Sequence, residues 1–404
     1  MPVSPIVVLD IGASQVVCLI GEAQPEQEIR ILGVGRAPCA GLRRSTVIDM
    51  PRVVESIRRA VDGAERSAGL SIASAYAGLS GEEVVACTSR STVAIAGMAK
   101  PIDEDDLGRA MTAAEQAAPT DDQVVLHRFV QSYAVDGQPV QNPLWLHGSK
   151  LEVEILTISA SRHACSTLER AAGEAGVEIA GFILEPVAAA SAVVSHDERE
   201  MGVGVLDIGA GTTSLALFSG PLRHIAEIPH AGEDITRDLS VVFGVSPRIA
   251  EQLKREYGCV CCAPEAGEES ITFQTTAGRT CTITRQQLSD VVEARQHEIL
   301  EFVRREIGDS GYGPSLAAGM SLTGGGSLLQ GLAQLGEQVL GMPVRLGQPQ
   351  EVVASEPVED PQFATAVGLL RFAALEQTQV AEPSGSAGGG TRFLSRIARL
   401  LSFF

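Results

Sequence analysis

At 404 residues, with 45% hydrophobic and 20% charged side chains, the chain has the composition of an ordinary soluble globular protein of two or three domains. Its formal net charge of −19 excludes a phosphate-backbone partner, because nucleic-acid binding runs on clustered Lys and Arg. No stretch reaches the ~18 apolar residues of a membrane span, and MPVSPIVVLD has no basic segment ahead of its apolar run. The expectation is a cytoplasmic protein with its eight cysteines reduced.

Ile6–Asp10 and Val16–Ile20 are β-rich runs separated by Ile11–Gln15, where Gly12 permits a tight turn, which predicts a hairpin. In Pro51–Ala68 the residues Val53, Val54, Ile57, Ala60, Val61 and Ala64 recur at helical spacing. From about Val84 to Arg162, short strands mix with one helix opened by an acidic run, DEDDLGRAMTAAEQAA, and read as a compact inserted module. The pattern then restarts. IAGFILEPVAAASAVV reads as a buried strand running into an Ala-rich helix, and MGVGVLDIGAGTTSLALFSG repeats the hairpin. SPRIAEQLKREYG predicts an amphipathic helix, with Pro247 in its first turn and Gly258 past its end. GMSLTGGGSLLQGLAQLGEQVL reads as a strand, a triple-glycine turn and a helix.

Cys259, Cys261 and Cys262 form the one cluster that suggests a metal. No nearby His or second Cys pair completes a zinc site, so a thiol-containing loop is the preferred reading. HEILE at His297–Glu301 likewise lacks the second His of the helical zinc motif.

After Leu375 the chain changes character. EQTQVAEPSGSAGGG has almost nothing to pack and predicts a flexible linker with a reach of about 20–23 Å. The final TRFLSRIARLLSFF, at about 100° per residue, places Phe393, Leu394, Ile397, Leu400, Leu401 and Phe404 on one face. Arg392 and Arg399 fall opposite, while Arg396 and Phe403 sit at the margin. Three Arg and no acidic side chain suit an anionic lipid surface, and the linker lets the helix stand off from the acidic body.

The hexapeptide VLDIGA occurs twice, at Val8–Ala13 and Val205–Ala210. A phosphate needs backbone N–H donors at close range, and its magnesium needs hard oxygen ligands. A strand ending in Asp before a Gly-containing turn supplies both. Asp10 with Gly12 and Ser14 is one such turn, and Asp207 with Gly209, Gly211, Thr212 and Thr213 is the second. Two related lobes could offer them to opposite sides of one polyphosphate, in the interdomain cleft where ligands prefer to sit.

The motifs VLDIGAS, LEPVAAA, LDIGAGTTS and LTGGGSLLQGL, in this order, resemble the actin-like ATPase superfamily. Within it, HAGEDITRDLSVVFGVSPRIAEQLKREYGC, VLHRFVQSYAVDGQPVQNPLWLHG, FATAVGLLRF and the detached C-terminal helix resemble the FtsA family of bacterial cell-division proteins, over nearly the whole chain. The resemblance implies an α/β, actin-like two-lobed fold of duplicated ribonuclease-H-like domains. Residues 1–83 with 163–196 would form the first core subdomain and 84–162 the inserted FtsA-type subdomain. Residues 197–235 with 313–375 would form the second core and 236–312 its upper subdomain, followed by a linker over 376–390 and a membrane-binding helix over 391–404.

The resemblance also implies ATP and magnesium as cofactors. Asp10 and Asp207 would hold the metal through water, Glu185 would orient the attacking water, and Glu251 and Lys254 of an E-x-x-K helix would contact ribose and adenine. Gly324, Gly325 and Gly326 would form the adenosine turn. The implied partners are the C-terminal peptide of FtsZ, docking between about Thr236 and Tyr312, further copies in a filament, later division proteins on the inserted subdomain, and anionic lipid. The implied place is the cytoplasmic face of the inner membrane at the septum, held peripherally. Ala13 and Gln15 depart from the usual Thr and Lys of the first turn, so ATPase turnover is expected to be slow at most. Val130 and Trp145 replace a usual Pro and Gly, and Trp145 is read as packing or as a partner contact, packing being the safer reading. Two alternatives remain: a PilM-type pilus-assembly scaffold, which would have no use for the tail, and a small-molecule kinase, whose carboxylate base has no evident candidate.

Overall fold

A computed structural model of the chain describes residues 5–23, 28–95, 100–115, 122–262 and 267–380. The first apolar run forms β1 (Ile6–Ile11), which turns at Gly12 into the antiparallel β2 (Gln15–Ala23). β3 (Ile29–Pro38) extends the meander, and a small hairpin follows, β4 (Leu42–Arg43) with β5 (Thr46–Val47). α1 (Met50–Ala68) is capped by Asp49, which accepts from the Arg52 amide, and it ends at Gly69 with φ 68°. All six apolar residues that set its period are buried. β6 (Ser74–Leu79) then lies parallel to β1.

The insertion comprises β7 (Val84–Ala94), α2 (Glu104–Glu115), β8 (Gln123–Val135), β9 (Gln138–Val140) and β10 (Lys150–Ser161), with a small core of its own around Ile102, Met111, Leu151 and Val153. Its main strands run 11, 13 and 12 residues rather than being short. Ser and Thr on β7 and two register shifts between β8 and β10 break up the apolar alternation that would have marked them as single strands. Trp145, read as packing, is instead 69% exposed and holds φ at 68°.

α3 (Arg162–Ala175) and β11 (Glu178–Leu184) rejoin the first sheet, β11 running parallel to β6. α4 (Glu185–Val193) and α5 (His196–Met201) lead to the second meander, β12 (Val203–Ile208), β13 (Thr213–Phe218) and β14 (Leu222–Ile228). Above it stand α6 (Gly232–Phe243), α7 (Pro247–Tyr257), the hairpin β15 (Ser270–Gln274) with β16 (Thr280–Thr284), and α8 (Arg285–Ser310). β17 (Met320–Thr323), α9 (Leu332–Leu340), β18 (Val344–Leu346), β19 (Val352–Ala354) and α10 (Ala364–Val380) complete the described chain.

The two large sheets share one plan. Their orders are β11-β6-β1-β2-β3-β19 and β14-β13-β12-β17-β18, each with a meander whose first strand has a parallel neighbour on its other side. The repeated hexapeptide therefore occupies equivalent strands, β1 and β12.

Between the sheets, α4 and α10 pack on each other. From Pro186 onward every residue of α4 is buried, as expected of a helix that is apolar on all sides. These helices depart from the partition expected from sequence. α4, placed with the first core, packs on β12 and β13. α10, placed with the second, packs on β1 and β2, and β19 pairs with β3. α10 also continues through Val380, five residues into the expected linker, because nothing in EQTQV breaks a helix before Pro383. The rest of that linker lies outside the described residues. So does the helix 391–404, with Arg392, Phe393, Leu394, Arg396, Ile397, Arg399, Leu400, Leu401, Phe403 and Phe404. Among the described residues no helix is long and apolar enough to cross a membrane.

Cys259 and Cys262 are joined as a disulfide, with Cα atoms 5.9 Å apart, where reduced thiols were expected. The turn that follows α7 brings together two sulfurs whose pairing the spacing alone did not reveal.

The crossing of α4 and α10 depends on Gly368, where an added Cβ would lie 1.8 Å from the Ala188 carbonyl oxygen. Gly368→Ala should cost about 1–3 kcal/mol in urea unfolding, as overpacking does. Gly108→Ala on α2, where a Cβ meets nothing within 4 Å, should be neutral or stabilise by about 0.4–1 kcal/mol.

Candidate functional site

The two hairpins close in the same way. The Gly12 amide donates to the Gln15 carbonyl at 3.0 Å, and the Gly209 amide donates to the Thr212 carbonyl at 3.0 Å. They face each other across a cleft of about 980 Å³. Its walls include Gly12, Ser14, Gly209, Gly211 and Thr212, the Glu251 and Lys254 side of α7, and Gly324, Gly325 and Gly326. The sequence-predicted residues thus meet in one place, with one exception. Thr213 is buried and turned away, its Oγ1 donating to the His230 carbonyl at 2.8 Å. Strand alternation explains this: Thr212 and Ser214 face the cleft, so Thr213 faces the opposite side.

Asp10, Glu185 and Asp207 lie on the cleft floor, each partly open to it and otherwise enclosed by protein. Asp207 accepts from Thr365 Oγ1 at 2.7 Å, so the start of α10 is tied to the second hairpin. Gly324 holds φ at 80°, and a Cβ there would lie 2.1 Å from Asp207 Oδ1; only glycine lets the triple-glycine turn approach this carboxylate. Glu185 opens α4 at its positive end. On the opposite wall Lys254 Nζ reaches Glu251 at 2.6 Å and donates to Thr236 Oγ1 and the Gly232 carbonyl, each at 2.9 Å. This pair is held rigidly between α6 and α7.

A fourth carboxylate, missed in the sequence, lies behind this floor, bonded to the cleft residue Ser214. Glu227 of β14 accepts from Ser214 Oγ at 2.8 Å, and its Oε1 is buried. LRHIAEI carries Arg223, His224 and Glu227 on a largely half-buried strand, and nothing in that pattern singles out the acid.

Burial pushes the Glu227 carboxyl up to about 8, with the charges of Glu185 and Asp207 adding and the Ser214 hydroxyl opposing. Glu185 is pushed up to about 7, chiefly by burial, with a Ser80 hydrogen bond opposing and Asp207 adding. Asp10 is raised well above the usual range by burial and then by Glu185 and Asp207. Burial also raises Asp207, against the pull of the Thr365 hydroxyl. A hard divalent cation fits such a floor, since it would neutralise charge that burial and repulsion otherwise force into protonation. Among the described residues no three His, Cys, Asp or Glu side chains are grouped closely enough to hold a metal ion directly.

Two lobes of one plan, closing on a carboxylate-floored cleft and joined by crossed helices, define an actin-like protein. The fold is similar to that of the solved "PilM-PilN type IV pilus biogenesis complex", with TM-score 0.66 and 20% identity over 92% of this chain and 99% of that one. It is also similar to MreB5 of Spiroplasma citri bound to ADP, with TM-score 0.58 and 13% identity over 94% and 99%. Sequence is more specific. The family described as "Cell division protein FtsA" matches residues 204–368, and that described as "SHS2 domain inserted in FTSA" matches residues 81–159. The FtsA of Pseudomonas aeruginosa is 36% identical over 92% of this chain and 90% of its own length. The Bacillus subtilis protein is 35% identical over 90% and 82%, and that of Escherichia coli K12 33% identical over 91% and 90%. The chain belongs to the FtsA family of cell-division proteins.

The raised carboxyls make ligand-free stability depend on pH. Glu185 and Glu227, at about 7 and about 8 when folded, have an ordinary value of 4.5. Between about 4.5 and 8 the folded chain therefore binds more protons than the unfolded chain, and stability falls as pH rises. Glu227→Gln should flatten this loss in thermal melts run from pH 5 to 8.5 without ligand; an unchanged slope would show that Glu227 does not carry the proton.

Proposed function

We propose that this chain binds ATP with magnesium between its lobes, assembles into actin-like filaments and tethers FtsZ polymers to the cytoplasmic membrane through Thr391–Phe404. The carrying observation is the cleft itself: two equivalent hairpins over Asp10, Glu185 and Asp207. Magnesium, when bound, supplies the positive charge that offsets both carboxylates and phosphates. Asp10 and Asp207 hold its water shell, the two turns hold the phosphates, and Gly324–Gly326 with Glu251 and Lys254 hold the nucleoside. Glu185 orients water at the positive end of α4. Ala13 offers no hydroxyl to the reacting phosphate, so turnover is slow and the nucleotide mainly holds the lobes together.

The partner surfaces have support in exposed apolar residues. Val241 and Val242 of α6 are 78% and 58% exposed on the subdomain proposed to receive the FtsZ peptide. Trp145 and Leu146 stand out on the insertion, 69% and 41% exposed, where later division proteins would bind. The likeness to a PilM complex is one of fold; the basic amphipathic tail favours direct lipid binding.

The test pairs nucleotide binding with vesicle pelleting. ATP with magnesium should bind the full chain, and Asp207→Ala should weaken it by about tenfold or more. Deleting Thr391–Phe404 should leave nucleotide affinity intact and abolish pelleting with anionic vesicles. Unaltered binding in Asp207→Ala would remove the cleft assignment, and unaltered pelleting without the tail would remove the anchor.

A further inference from the structure

The cations lining the cleft differ in how they are paired. Lys254 and Arg255 both face Glu251, and Arg237 faces Asp234. Arg36 faces no carboxylate among the described residues. Its Nη2 donates to Gln15 Oε1 at 3.0 Å and to Gln362 Oε1 at 2.6 Å, and its guanidinium lies over the Phe363 ring, 4.8 Å from the centroid. All three partners are neutral. They fix the orientation of the fork without cancelling its charge.

The anchors frame the phosphate end of the cleft. Gln15 opens β2 at the end of the first hairpin's turn, and Gln362 lies three residues before Thr365, which holds Asp207. Arg36 lines the cleft and also a side cavity of about 330 Å³ shared with Ser14, Gln15 and Arg255. A floor holding Asp10, Glu185 and Asp207 repels a polyphosphate, so a positive group facing it beside any metal favours binding. The first turn, Asp10–Gln15, carries no cation of its own, and the Gln15 amide holds an arginine 21 positions along the chain.

We infer that Arg36, positioned by Gln15, Gln362 and Phe363, is a ligand for the phosphate chain of the nucleotide and supplies the cation that the first hairpin itself lacks. This rests on the nucleotide reading of the cleft. A guanidinium suits the role, since its planar fork matches phosphate oxygens and keeps its charge at any working pH.

The test measures affinity for ATP and for adenosine in the presence of magnesium, using the full chain. Arg36→Ala should weaken ATP by about tenfold or more and leave adenosine within about twofold, as expected for loss of a charge-assisted contact. Adding Gln15→Lys to Arg36→Ala should recover most of the loss, and Arg36→Lys should fall between. ATP affinity unchanged in Arg36→Ala, while Asp207→Ala abolishes it, would overturn this inference and leave the cleft reading standing. Equal losses for ATP and adenosine would overturn it in favour of a structural role. A wild-type chain that binds no nucleotide would overturn both.

Discussion

Four carboxylates are crowded onto the seam between two lobes, and the rest of the fold is arranged to keep them there. Asp10 and Asp207 end equivalent strands, Glu185 opens a connecting helix, and Glu227 reaches in from the third strand of the second meander. Burying ionised carboxyls is costly, so without a neutralising cation they hold protons well above their ordinary range. Such a floor is poised for a positive ligand, and it lies where the lobes would move against each other.

The crossed helices transmit that constraint. α4 carries Glu185 at one end and is buried through the rest of its length, while α10 begins beside Asp207 through Thr365 and packs on the first sheet. Each helix thus touches the site at one end and the opposite lobe along its body. On the proposed reading, a nucleotide that ties the hairpins together also fixes the relation of the lobes. A filament subunit needs such a fixed shape, and a polymer of weakly anchored tails would gain membrane residence by avidity.

Much of this was legible in the sequence, because its signals are local. A strand, an Asp and a glycine turn lie within seven residues, and the repetition of VLDIGA announced two related lobes before any contact was known. The helical spacing of Val53, Val54, Ile57, Ala60, Val61 and Ala64 similarly marked α1. What stayed hidden depends on distant parts of the chain. Glu227 carried no mark in the sequence, since only the packing of distant segments puts it beside Glu185 and Asp207. Gln15 looked like a lost cation until β3 brought Arg36 alongside. Thr213 was assigned one residue out of phase with the strand, and the sides taken by α4 and α10 follow from packing that no window of sequence contains. For Trp145 packing was preferred over a partner contact, and its exposed place on the insertion removes the preferred reading.

The account stands on the need for a cation at the carboxylate floor. Thermal unfolding of the full chain with ATP, in magnesium or in chelator, tests this most directly, because a ligand that binds only the folded state raises the melting temperature. The account predicts a clear rise with magnesium and ATP together and little with either alone. An equal rise with ATP in chelator would show that the phosphates need no metal over these four carboxylates, and would contradict it.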